Sequence, residues 1–411
     1  MAEWKEYTVA DVISTVIDYR GKTPKKLGGD WSNSGYRALS AKNIKTGKIV
    51  QSDSIRYVSE DMYRCWMKEE VQKEDILITS EAPYGQIYYW NSDEKIVLSQ
   101  RLYAVRINQQ FYPKYVYFYM TSSFFQAELD GRATGTTVVG LRRPELLKCK
   151  IFAPDFQEQK RIADTLWCLE QKINNNEAIN NNLEQQALAL FKQYFMDYAP
   201  YDGITPAEWR AVSLDDVCTK ITDGSHYSPV DSPDSPYPMY SVKDMETYGF
   251  NSSSCKHITK EDFAKMQKND CIPLLNDILV AKDGSYLKEI FICSEQKDEA
   301  ILSSIAIFRP NTQIIIPEIL LYLLKQPSVR KDVGDNYVSG SALPRIVIKD
   351  FKKYRFMLPP IEEQQKIGSV LHAIRMQIKT NVDEIHNLSS LRDTLLPKLM
   401  SGELDTSGIE L

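Results

Sequence analysis

A chain of 411 residues is longer than one ordinary domain needs, so two or more folding units are expected. Hydrophobic residues at 43% and charged ones at 26% fit a soluble globular protein, and no run reaches the roughly 20 apolar residues of a membrane span. The formal net charge of −5 excludes an overall basic surface of the kind nucleic-acid binders present, so any such surface must be local.

The opening MAEWKEY lacks the basic-then-apolar pattern of an export signal. Seven cysteines without a Cys-x-x-Cys pair point to a reducing cytoplasm, and His226, His257, His372 and His386 show no zinc-ligand spacing. Residues 20–48 then carry eight basic side chains (Arg20, Lys22, Lys25, Lys26, Arg37, Lys42, Lys45 and Lys48) against one acid, Asp30. Within them, Gly21-Lys22-Thr23 imitates the end of a phosphate-binding loop. The glycine needed five positions earlier is Val16, so a basic surface loop is expected.

Residues 76–79, 87–90 and 102–107 are short apolar runs and read as strands. Residues 113–129 read as one helix, whose Tyr115, Phe118 and Tyr119 recur at helical spacing and form a core stripe rather than a base-stacking platform. A long helix opens after Pro154, with Asp155 as N-cap and Glu158 reaching back in a capping box. A second opens at Pro360, where Glu362 and Glu363 complement the helix dipole, and Pro397 is expected to kink or end it.

The chain is written twice. Trp4 and Asp11-Val12 recur as Trp209 and Asp216-Val217, VSEDMY (58–63) as ITKEDF (258–263), and EDILIT (74–79) as NDILVA (276–281). LSQRLYAVR (98–106) recurs one residue shorter as LSSIAIFR (302–309), and Gly135, Pro154 and Glu158-Gln159 match Gly340, Pro359 and Glu363-Gln364. A period of about 205 residues is far longer than the 20–50 of solenoid repeats, so whole domain-plus-helix units are duplicated. Two like units can pack about a pseudo-two-fold axis. The expected segments are a mixed domain (1–153), a helix (154–200), a second mixed domain (201–358) and a second helix (359–411).

Both helices carry a seven-residue repeat: Ile162, Leu166, Leu169, Ile173, Asn176, Asn180, Leu183, Ala187 and Leu190, matched by Ile367, Leu371, Ile374, Ile378, Asn381, Ile385, Leu388, Arg392 and Leu395. Sustained heptads indicate a coiled-coil seam, here an antiparallel pair spanning roughly 60 Å. The fold class is α+β, two duplicated mixed domains separated by two long antiparallel helices. Asn176 and Asn381, midway along their helices, are expected to face each other and to fix the register.

No Gly-x-Gly-x-x-Gly, no Gly-x-Ser-x-Gly and no marked pair of carboxylates signals a cofactor pocket or a catalytic site. PPIEEQQKIGSVLHAI (359–374) and LLPKLMSGEL (395–404) resemble the helical regions of type I restriction–modification specificity subunits. PDFQEQKRIADTL (154–166) is a weaker copy, and ITDGSHYSP (221–229) resembles a loop early in that family's target-recognition domains. The resemblance covers essentially the full length. It implies a non-catalytic subunit that binds double-stranded DNA through two recognition domains, each reading half of a split target. It also implies two methyltransferase subunits bringing S-adenosylmethionine for adenine methylation, and a motor–nuclease subunit using ATP and Mg.

The first-half counterpart of ITDGSHYSP is the basic VIDYRGKTPKK (16–26), so the two domains are expected to read different sequences. Composition nominates three clusters of DNA contacts in each half: Lys22, Thr23, Lys25 and Lys26 against Ser225, His226 and Tyr227; Arg37 and Lys42 against Lys243; and Thr134, Thr136, Arg142 and Arg143 against Ser339, Ser341 and Arg345. A self-contained DNA-modifying enzyme would need the missing motifs. A purely structural coiled coil would leave the basic stretch and the duplicated domains without purpose. A restriction system with fused methyltransferase and nuclease would keep the same role for this chain.

Overall fold

The computed structural model describes residues 4–135, 139–404 and 406. The chain divides into two compact units, Met1–Asn174 with Ile385–Leu411, and Asn175–Glu384. The long helices, Phe156–Phe195 and Ile361–Met400, each contribute one part to each unit.

In the first unit the central sheet orders its strands as Ile13–Asp18, Leu102–Ile107, Ile76–Ser80 and Tyr84–Tyr89, all neighbours antiparallel. Beside it, Tyr36–Leu39 lies between Arg56–Val58 and Ile96–Leu98, and is parallel to the latter. Lys5–Thr8 pairs with Lys150–Ala153 and brings the start of the domain to the long helix.

The central strands read as unbroken apolar runs because both sheet faces are covered. Ile76 and Ile78 enter one core with Tyr103, Val105, Tyr115, Phe118, Ile162 and Leu166. Leu77, pointing the other way, enters a second core with Leu39, Val58, Trp66 and Val97. Each fully buried Ile or Leu side chain contributes about 1.5–3 kcal/mol. Tyr115, Phe118 and Tyr119 are buried, which places the aromatic stripe in the core as expected.

The second unit repeats this plan. Its sheet runs Cys218–Asp223, Ile305–Pro310, Ile278–Ala281, Ile290–Ile292, and its small sheet places Tyr237–Tyr240 between Lys256–Ile258 and Ala300–Ile301. Ile278 and Val280 face the helix-side core, and Leu279 and Ala281 face the other. A buried ion pair recurs as well: Arg106 Nε meets Asp75 at 3.0 Å and Arg309 Nε meets Asp277 at 2.9 Å.

The helices run antiparallel in each unit. Ile162 and Leu166, early in the first helix, share a core with Leu399 and Met400, late in the second. In the other unit Ala187 and Phe191 share a core with Ile367 and Leu371. The Glu-Gln signature explains itself at the helix starts. Gln159, buried, accepts from Tyr112 N and donates to Pro154 O; Gln364, also buried, accepts from Ile316 N and donates to Ile314 O and Pro359 O. Each glutamine latches its helix to its own domain.

Four expectations are corrected. The 113–129 helix is two helices, Pro113–Thr121 and Ser123–Arg132, because extended Ser122 breaks the run and its hydroxyl bonds Tyr119 O at 2.6 Å. Pro397, expected to kink or end its helix, does not end it: the helix continues to Met400. Asp155 does cap the first long helix through Glu158 N at 2.9 Å, but the Glu158 carboxylate does not reach back. It accepts from Thr406 and Arg161 instead.

The fourth correction concerns Asn176 and Asn381. Both are buried, yet they do not bond each other. Asn381 Nδ2 donates to Asn180 Oδ1 at 2.8 Å and its Oδ1 accepts from Gln377, while Asn176 Nδ2 donates to Glu384 Oε2 at 2.8 Å. The pairing is offset by one helical turn, so Asn381 meets the seam asparagine one turn beyond Asn176. The seam is polar elsewhere too: Arg392 reaches Glu170 at 2.8 Å.

Candidate nucleic-acid interface

In the first unit, the chain from Tyr19 turns sharply at left-handed Gly21 and continues into a short 3-10 turn, Lys25–Leu27. Lys22 Nζ donates to Trp66 O at 3.2 Å and lies 4.5 Å over the Tyr19 ring, and Lys26 Nζ donates to Gly21 O at 2.8 Å. Lys25 is exposed and, among the described residues, without a partner.

A cavity of about 630 Å³ opens beside this turn, lined by Thr23, Lys25, Lys42, Arg56 and Arg101 among others. Four cations and one acid, Asp30, line it, with Ser40, Asn43, Ser54 and Gln100 interspersed among apolar Trp31, Ala38, Ala41 and Ala82. Its floor is rigid. Ser40 caps the turn Ala41–Asn43, and buried Asn43 accepts from Ser40 N at 3.1 Å and donates to Ser54 Oγ at 3.2 Å. Arg56 stacks 4.7 Å over Trp31, a cation–π contact that fixes its position without consuming all its donors.

The third cluster adjoins this cavity. Thr134 pairs with Gly140, Gly140 bridges to Glu81, and Glu81 binds Arg101 Nε at 2.9 Å. Leu141 O accepts from Tyr103 Oη at 2.8 Å; burial pushes that phenol up to about 12, so it stays a neutral donor. Arg142 and Arg143 are exposed at the start of the short helix that follows. Thr136 lies outside the described residues. Arg37 does not join the cluster: strand alternation sends it away from Ala38, which lines the cavity, and both its Nε and Nη2 are bound by Glu94.

In the second unit the nominated segments meet around residues 282–283. Lys282, 7% exposed, lies 2.7 Å from Asp223 and 3.8 Å from Asp283. His226, exposed, brings Nε2 to 3.3 Å from the same Asp223 carboxylate. Arg345 pairs across an isolated bridge with Asp283, after the two-stranded turn Val338–Ser339 and Arg345–Ile346 that leaves Ser339 and Ser341 exposed. Lys243 is exposed, and its neighbour Val242 donates to Ser304 Oγ at 3.0 Å. Ser225 differs from expectation: it is buried, and its hydroxyl is held by Tyr227, accepting from its N–H and donating to its carbonyl. Tyr227 is 58% exposed and Val230 85% exposed, so this loop presents apolar surface where the first unit presents lysine.

Sequence reasoning missed Arg56, Arg101 and Lys282. Arg56 and Arg101 lie far from the basic stretch in the chain and reach the cavity only through strand pairing. A cation bordering the duplicated motifs VSEDMY and EDILIT was the available signal. What the two sites offer chemically is cations, hydroxyls and amides, suited to phosphates and to base edges.

The comparisons agree. The model of the type I restriction modification DNA specificity domain matches residues 1–185 and again 206–388, the two copies read from the duplication. The specificity subunit of the type I restriction enzyme HindI of Haemophilus influenzae is 23% identical, over 98% of this chain and all of that protein. The MjaIX specificity subunit of Methanocaldococcus jannaschii is 25% identical, over 81% of this chain and 78% of that one. Among solved structures, the type I restriction–modification S subunit from M. genitalium shares the fold, with a TM-score of 0.58 and 15% identity over 97% of this chain and 96% of that one. Two matched domains covering most of the chain, on a duplicated frame of sheet and long helix, make this protein a member of the type I restriction–modification DNA specificity family.

Proposed function

We propose that this chain reads an asymmetric, two-part DNA sequence, one part with each unit, and leaves the chemistry to partner subunits. One observation carries the reading: a single frame is built twice and furnished differently, with Lys25, Lys42, Arg56 and Arg101 lining a cavity in one unit, and His226 and buried Lys282 meeting Asp223 beside the Asp283–Arg345 bridge in the other. Two identical readers would carry identical linings. The family and the named relatives support the placing of this chain in a restriction–modification complex.

In that complex two methyltransferase subunits would bring S-adenosylmethionine for adenine methylation, and motor–nuclease subunits would bring ATP and Mg. The helix pair is the candidate platform for them, and the cytoplasm, where DNA and these cofactors meet, is the location this role requires. Among the described residues no helix is long and apolar enough to cross a membrane.

Methylation-aware sequencing of host DNA, with and without the gene, tests the reading. The expected result is one gene-dependent motif with two unlike halves. Exchange of residues 1–153 for a relative's domain should change one half alone. A palindromic motif, or methylation by the purified chain without partners, would overturn it.

A further inference from the structure

The duplication allows the two reading sites to be compared position by position. Ser80 N donates to Arg101 O at 2.8 Å, and Lys282 N donates to Ser304 O at 3.0 Å, so Arg101 and Ser304 hold the same place in their units. The next residues, Glu81 and Asp283, each bridge to the segment after the glycine turn, at Gly140 and Arg345. The acid is therefore kept in both units, while its cation comes from different places. In the second unit it comes from Lys282, which is buried and shared between Asp223 and Asp283. In the first it comes from Arg101, whose side chain is 49% exposed at the cavity.

Two features set Arg101 apart. Its backbone is left-handed, with φ of +65°, a conformation that residues other than glycine adopt rarely and that persists where the surroundings impose it. Its guanidinium forms an ion pair with Glu81, Oε1 lying 2.9 Å from Nε, and among the described residues it has no second ion-pair partner. A carboxylate at Nε aims an arginine, and the outer end is a planar two-donor fork. Ser304 has no equivalent reach, since its hydroxyl accepts from Val242 N.

We propose that Arg101 is a base-reading residue of the first half-target, donating its terminal nitrogens to O6 and N7 of a guanine in the major groove, with Glu81 as its positioning residue. This rests on the function proposed above. The fork fits guanine, the base whose major-groove edge presents two acceptors side by side. Lys25 and Lys42, exposed on the same cavity and without partners among the described residues, suit the flanking phosphates.

The test uses the full chain assembled with its methyltransferase subunits on a randomised duplex library, read by methylation-aware sequencing. Arg101→Asn removes the fork while suiting the left-handed backbone. It should make one G·C position in one half-target degenerate, with discrimination there falling roughly tenfold to a hundredfold and the other half unchanged. Arg101→Lys keeps the charge without the fork and should lose the same position at unaltered salt dependence. Glu81→Gln should blur that position alone. If Arg101→Asn does not match wild type in thermal unfolding, Arg101→Lys decides. An even loss at every position would make Arg101 a phosphate contact and overturn the proposal, as would an unchanged motif. No motif with the wild-type complex would instead overturn the function on which it rests.

Discussion

Replacing Asn381 with leucine should destabilise the second unit even though it adds apolar bulk to a helix seam. Asn381 is 6% exposed and Asn180 2% exposed, and they share a 2.8 Å hydrogen bond. Leucine at 381 strands the Asn180 Oδ1 and the Gln377 Nε2 donor that Asn381 accepts from. A stranded buried group costs about 1–3 kcal/mol, against about 1 kcal/mol for losing a satisfied hydrogen bond. Gln377 is exposed and can turn to water, so the cost falls mainly on Asn180. For a unit of about 200 residues, 1 kcal/mol moves the melting point by about 2–4 °C. Differential scanning calorimetry should therefore show the second unit melting about 2–12 °C lower in Asn381→Leu. Leucine at both 180 and 381 leaves neither amide stranded and should recover most of the loss, a coupling above about 1 kcal/mol. A single variant that melts like wild type, or a double variant whose loss is the sum of the singles, would refute the reasoning.

The latch should behave similarly: Gln364→Leu strands Ile316 N and two carbonyls, at about 1–3 kcal/mol for each group that stays dry, measured by urea unfolding. Joint replacement of Lys25 and Lys42 by alanine should lower the log–log salt slope of DNA binding by about 1.8, whereas Lys22 and Lys26, tied to backbone carbonyls, should contribute less. The Ser213 backbone N–H, then its hydroxyl, holds the Asp216 carboxyl below its ordinary value of 3.8. A carboxyl lowered on folding stabilises above that value and ceases to as the pH falls through the folded one, so Asp216→Asn should flatten the acid limb of stability, followed by urea midpoints from about pH 5 to pH 2. Exposed Cys65 and Cys168 should alkylate first at neutral pH, well before buried Cys149 and Cys293, whose thiols desolvation pushes up, as read by mass spectrometry.

Much of the architecture was legible because it depends on pattern. The duplication, the central strands and the heptads are periodic signals, and a sheet covered on both faces announces itself as ILIT and ILVA. What failed depends on offsets that no period encodes. Within the second unit the helices pair one turn off their midpoints, so Asn381 meets Asn180 rather than Asn176. The break at Ser122 is a single hydroxyl competing for a backbone carbonyl. At the candidate sites, local charge density nominated Lys25 and Lys42, which the structure brings to one cavity. It also nominated Arg37, whose charge Glu94 neutralises across the sheet, and it passed over Arg101, isolated in sequence beside apolar Leu102.

The first unit is discontinuous in the chain, and this fixes an order of events during synthesis. Its core includes Leu399 and Met400, and Thr406, fully buried, donates to Glu158 at 2.5 Å. A ribosome that has made every strand of the first domain has not yet made the residues that seal it. The nascent domain must wait, its flank open, while some two hundred further residues emerge. Premature termination after Glu384 would thus spare the later-made unit and leave the earlier-made one unsealed, an inversion of the usual expectation that the N-terminal domain is the first to be finished.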